Sequence, residues 1–101
     1  MSKTNLCQLA SSLPAAWKSV VVGKAAGANV KVLRMDGSEY PNEVHDFDEA
    51  LLVLTGRMNL KFEHEVIAVS AGEVYIVPAG VPHAVAADSH GTLVIIDPPG
   101  A

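Results

Sequence analysis

Four side chains in this sequence carry metal-binding chemistry and stand at fixed offsets: Glu43, His45 and Glu49 in one segment, His83 in a second. Imidazole nitrogen and carboxylate oxygen suit divalent Mn, Fe, Ni, Co, Cu or Zn. Both segments open on a glycine. The first reads GSEYPNEVHDFDEALLVLTG, from Gly37 to Gly56, and the second GEVYIVPAGVPHAVA, from Gly72 to Ala87. Side chains two apart in an extended chain share a face, so a strand over Asn42 to His45 places Glu43 and His45 together. Glu49 follows a short bend, DFD, and opens the apolar run ALLVLT, which Gly56 ends. The second segment turns at Gly72, climbs a strand, turns again through Pro78, Ala79 and Gly80, and delivers His83 at the head of the next strand. Two hairpins of one closed sheet would aim all four groups at one cavity.

The elements that must hold them are short and numerous. WKSVVV, ANVKVLR, ALLVLT, RMNLKF, EVIAVS, EVYIVP, HAVAA and TLVIID are rich in β-branched and aliphatic residues, and each is bounded by a turn signal such as DGS, TGR, SAG, PAG or DSHG. Eight or nine strands in 101 residues leave no room for crossover helices. The expected fold is therefore all-β, a sandwich or barrel, in a single domain over residues 1–101. Asn5 to Ser12 reads as a short N-terminal helix stopped before Pro14. In LKFEHEVIAVS the acids around His64 mark an exposed hairpin end. In EVYIVP, Val74 and Ile76 point to one face and Tyr75 and Val77 to the other. Both faces are apolar, so one can line the interior while the other packs on a second layer or a second copy of the chain. Gly56, Gly72 and Gly80 are expected to supply turns at positive φ.

Composition removes several function classes. Seven basic against eleven acidic residues give a net charge of −4, and the basic residues are scattered, which opposes nucleic-acid binding. No apolar run approaches a membrane span, and the N-terminus is too polar for a secretory signal, so a cytoplasmic protein is expected. Cys7 stands alone and forms no disulfide or cysteine-based metal motif. His64 and His90 fall in expected turns and are assigned to solvent. Asp46 and Asp48 flank the metal-competent residues and are candidates to orient the imidazoles. Trp17, Tyr40, Phe47 and Tyr75 read as core packing or as pocket walls. Each proposed ligand also has an ordinary reading on its own: Glu43 as an exposed carboxylate, His83 as a satisfied polar residue at a strand start.

The joint spacing resembles the cupin superfamily, specifically its small single-domain members. The usual first cupin motif is Gly, five residues, His, one residue, His, three or four residues, Glu, six residues, Gly. Gly37, His45, Glu49 and Gly56 fit it, with Glu43 in place of the first His. The usual second motif is Gly, five residues, Pro, one residue, Gly, two residues, His, three residues, Asn. Gly72, Pro78, Gly80 and His83 fit, with Ala87 in place of the Asn. The resemblance implies a double-stranded β-helix of jelly-roll type, often a homodimer. It also implies a divalent transition metal held by Glu43, His45, Glu49 and His83. The Glu-for-His exchange adds a negative charge and hardens the site, which favours Mn, Fe, Ni or Zn over soft ions. Two functions follow. One is a metal-dependent enzyme acting on a small organic ligand, as dioxygenase, isomerase or lyase, with Glu43 as general base if it is free of the metal. The other is a non-catalytic module that binds a sugar or organic acid in the barrel above a vestigial metal site.

Overall fold

The computed structural model describes residues 3–101. One short helix precedes eight strands: α1 (Leu6–Ser12), β1 (Val20–Ala25), β2 (Ala28–Asp36), β3 (Tyr40–Glu43), β4 (Glu49–Lys61), β5 (Val66–Ser70), β6 (Val74–Val77), β7 (His83–Val85) and β8 (His90–Asp97). The expected helix forms, and Asn5 caps it by accepting from the Gln8 N–H through its side-chain oxygen. Every strand pairing is antiparallel, in the order β1-β2-β8-β4-β7-β3, with β5 and β6 also on β4. The sheet curls around one interior lined by Leu33, Met35, Leu51, Val53, Met58, Leu60, Val69, Val77 and Leu93. This is the all-β jelly-roll barrel with a short N-terminal helix.

The central strand corrects one reading of the sequence. ALLVLT and RMNLKF are one thirteen-residue strand, β4, and Gly56 does not end the first of them. Gly56 has φ +77° inside the strand and pairs with Gly91 of β8. A β carbon on Gly56 would lie 1.9 Å from the His90 carbonyl oxygen, and one on Gly91 2.0 Å from the Thr55 carbonyl oxygen. The two backbones approach too closely for any side chain. The register also shifts between Val53 and Thr55. One extra residue reverses which positions face inward. Leu51 and Val53 are buried before the shift, and Met58 and Leu60 after it, so odd positions give way to even ones. Without the bulge, half of β4 would present its apolar side to solvent.

Two further differences are local. Tyr40–Glu43 is a strand despite Pro41, at the end of the strand order, where it pairs with β7 alone. His90, expected in a turn, opens β8 opposite Asp36 and Arg57, though its side chain is exposed as anticipated. The acidic segment around His64 does form the exposed end of the β4–β5 hairpin.

Outside the barrel, Val32 and Val94 pack with Ala10 of α1, supported by Leu6, Leu9, Val30, Leu52 and Leu54. That cover is partial: Val74, Ile76 and Ile96 remain exposed on β6 and β8. Among the described residues, no helix is long and apolar enough to cross a membrane.

Candidate metal centre

Four local features bring the candidate ligands together. Glu43 is the last residue of β3 and pairs directly with His83, the first residue of β7. His45 lies two residues on, in the connection to β4, and Glu49 is the first residue of that strand. The two sequence blocks are also tied through their backbones: the Gly80 N–H donates to the His45 carbonyl at 2.7 Å. Asp48 adds a side-chain tie, its Oδ1 accepting from the Ala79 N–H at 2.9 Å. This bond holds one block against the turn of the other, instead of orienting an imidazole.

Glu43, His45 and His83 each offer a ligand atom, and the three lie within 4.8 Å of one another. Glu49 stands beside them. Its Oε1 is 3.4 Å from His83 Nε2 and its Oε2 is 3.8 Å from His45 Nε2. Glu43 Oε2 is 3.3 Å from His45 Nε2. Glu43, His45 and His83 therefore converge, and Glu49 lies against the two imidazoles. Atoms that share a metal at bond lengths of about 2 Å lie about 3–4 Å apart, so the donor set fits a divalent ion with small adjustments.

The imidazoles are held in usable orientations. His83 Nδ1 is 3.0 Å from the Val81 carbonyl, which takes the proton of that nitrogen and leaves Nε2 turned to the cluster. His45 is stacked on Phe47, with centroids 4.8 Å apart and planes 13° from parallel. His83 and Glu49 are buried, whereas Glu43 and His45 are partly open. The hydrogen bond to Glu49 raises the His83 pKa above its ordinary value, against the opposing effect of burial. The charge on Glu43 raises the pKa of Tyr40, with burial and a hydrogen bond to the same carboxylate adding to it.

The cluster borders a cavity of about 300 Å³. Its walls are largely apolar, from Leu33, Leu51, Met58, Leu60, Leu93 and Ile95. Trp17 and Tyr40 also line it, their rings 5.6 Å apart. The Trp17 indole N–H donates to Asp36 Oδ1 and to the Ser38 hydroxyl, both at 2.8 Å. Hydrogen bonds from Ser38, then from Trp17, hold the Asp36 carboxyl at about 2. Tyr75 packs instead against Phe62 and the core. The sequence reading missed two charged residues in the same wall, Lys31 and Asp97. Their signal was a lysine and an aspartate within strand segments whose other members are mostly apolar.

Comparison with known proteins agrees with this fold. The family model described as Cupin domain matches residues 32–98. A quercetin 2,3-dioxygenase of Bacillus subtilis (strain 168) is 30% identical over 77 residues, 72% of this chain. The chain spans 23% of that enzyme's length. A cupin-2 domain protein from Shewanella frigidimarina NCIMB 400 superposes with a TM-score of 0.85 at 27% identity, over 94% of this chain and 93% of its own. A hydroquinone 1,2-dioxygenase, solved with Cd2+ and 4-hydroxybenzonitrile, gives a TM-score of 0.81 at 20% identity, over 95% of this chain and 72% of its own. The chain belongs to the cupin domain family.

Proposed function

We propose that this cupin binds one divalent transition metal (Mn, Fe, Ni or Zn) through Glu43, His45, Glu49 and His83. It would act there on a small hydroxylated aromatic compound, as a metal-dependent dioxygenase. The observation that carries the proposal is the gathering of two imidazoles and two carboxylates on the edge of a largely apolar cavity. Two carboxylates offset the charge of a divalent ion, and two neutral imidazoles add no charge of their own. When bound, the ion supplies Lewis acidity and, if it is redox-active, electron transfer to dioxygen.

The chain's own residues supply the rest. Trp17 and Tyr40 give aromatic wall for a planar ring. If it is free of the metal, Glu43, the most open of the four, is placed to accept a phenolic proton. The apolar wall lowers the polarity on the inner side of the reacting centre. The aromatic class is supported by the two dioxygenases similar to this chain, one over part of its length in sequence and the other in fold.

Plasma mass spectrometry of the purified protein tests the metal, with about one ion per chain expected. Oxygen uptake with a panel of single-ring hydroquinones and hydroxybenzoates tests the reaction. A metal-loaded protein that consumes no oxygen with any of them refutes the dioxygenase reading. The second reading, a non-catalytic sugar or organic-acid module, is favoured by the aliphatic wall, which offers few further acid–base groups. Ligand binding without turnover in metal-free protein would support it.

A further inference from the structure

The cavity holds a charged pair that the metal proposal leaves unused. Along β2, Asn29, Lys31, Leu33 and Met35 are buried on the inward side, so Lys31 points into the barrel between Asn29 and Leu33. Its Nζ lies 2.8 Å from Asp97 Oδ2 and 2.7 Å from the Ala101 backbone oxygen. Asp97 is held in turn by Asn29, whose Nδ2 lies 3.3 Å from Oδ1. Both charged side chains line the same cavity as Glu43, His45, Glu49 and His83. Of the described residues in that wall, Lys31 is the one lysine or arginine.

Stability alone does not account for this pair. Withdrawing two charges from water is costly, and a well-packed apolar pair of similar volume is commonly as stable or more so. An ammonium carries three donors, and two of those on Lys31 are spent. Among the described residues Lys31 Nζ makes no third hydrogen bond, and Lys31 lines the cavity together with Leu33, Leu51, Leu93 and Ile95. Its position is fixed from two sides before any ligand arrives, which reduces the entropy lost on binding.

Resting on the reading of this cavity as a small-molecule site, we propose that Lys31 is its specificity-determining residue. Its ammonium takes a carboxylate oxygen of the ligand, so the protein selects small carboxylated compounds over neutral ones of the same shape. With the metal site filled, the charges of Glu43 and Glu49 are offset by the ion and that of Asp97 by Lys31. Selection then comes from a directed, charge-assisted hydrogen bond and not from a net field. At about 300 Å³ the cavity lies at the small end of ligand sites, which suits a single ring with one substituent.

Trp17 is the chain's one tryptophan and lines the cavity, so its fluorescence reports occupancy without any turnover. Purified protein is titrated with benzoate and with benzamide, which share a shape and differ in charge. Benzoate is expected to bind about tenfold more tightly. Removing Lys31 alone would strand a buried Asp97, so the variant is Lys31→Met/Asp97→Asn, with Lys31→Arg as the charge-retaining control. The preference for benzoate is expected to fall below about twofold in the double variant and to persist in Lys31→Arg. Equal binding of the two probes by the parent, binding of neither, or an undiminished preference in the double variant overturns the inference. Metal content is measured on the same samples. A preference that follows Lys31 in protein without metal sustains this inference while refuting the metal proposal, and metal retained without any preference does the reverse.

Discussion

The site depends on His83 more than on any other side chain. It is buried, pairs in register with Glu43, hydrogen-bonds to Val81 and faces Glu49. His83→Ala is expected to weaken metal binding by at least about tenfold, read by mass spectrometry after dialysis. Unchanged metal content in a variant lacking both His45 and His83 would dismiss the assignment. The same residue sets a pH dependence in chelator-stripped protein. Its folded-state pKa is raised above 6.5, chiefly by the hydrogen bond to Glu49. A raised value means that the folded chain holds the proton more tightly than the unfolded one. The contribution to stability is therefore complete below 6.5 and is lost as pH rises through the higher folded value. The melting temperature of the stripped protein should fall over that window, and His83→Gln should remove the fall. That these side chains would lie near one another was legible in the sequence because each sits at a fixed offset from a glycine or proline that must turn the chain. Lys31 was not legible. In ANVKVLR a lysine between valines suggests an outward charge, but here both faces of β2 are covered, and the lysine takes the inner one.

At the scale of elements, β4 decides whether the ligands converge. Its first residue is Glu49, its early part pairs with β6, and its end pairs with β7, so it links both hairpins that carry the site. Gly56 lets the strand pass Gly91 and keep its apolar positions inward across the bulge. Gly56→Ala would thrust a methyl into the His90 carbonyl in addition to the strain at φ +77°. Gly80 has a similar φ of +80° but nothing within 4 Å of an added β carbon. Gly80→Ala should therefore cost about 1 kcal/mol, the effect of backbone strain alone, and Gly56→Ala about 3 kcal/mol or more, measured by urea unfolding. Similar losses at the two positions would contradict the close approach. Sequence reading placed the turns at Gly72 and Gly80 correctly because the chain reverses there under local constraints. It broke β4 at Gly56 because a glycine needed for contact with a distant strand has the same local signature as one needed for a turn. The extended segment expected over Asn42 to His45 is instead the strand Tyr40–Glu43, which begins before Pro41, pairs only with β7 and stops short of His45.

Across the whole molecule, the barrel spends its two faces differently. The inner face makes the core and the cavity. On the outer face, α1 covers Val32 and Val94 but is too short to reach β6. There Val74 is 55% exposed, Ile76 53% and Ile96 39%. Ile76 and Ile96 flank Ala50 of β4 from either side, and Val74 lies opposite Leu52, so these residues form one continuous apolar surface. Such a surface is unfavourable in water and calls for a cover. We propose that a second copy of the chain supplies one with the same apolar character, through a two-fold arrangement that closes on itself. The parent protein is therefore expected to sediment at about twice 10.6 kDa. Ile76→Glu, which places a charge in the centre of the surface, should give a monomer of unchanged circular dichroism. Because Ile76 projects away from the barrel interior, that monomer should hold as much metal as the parent and show the same benzoate preference. A parent that sediments as a monomer would eliminate the pairing, whereas a monomeric Ile76→Glu variant that loses its metal would show that the second copy helps to shape the cavity.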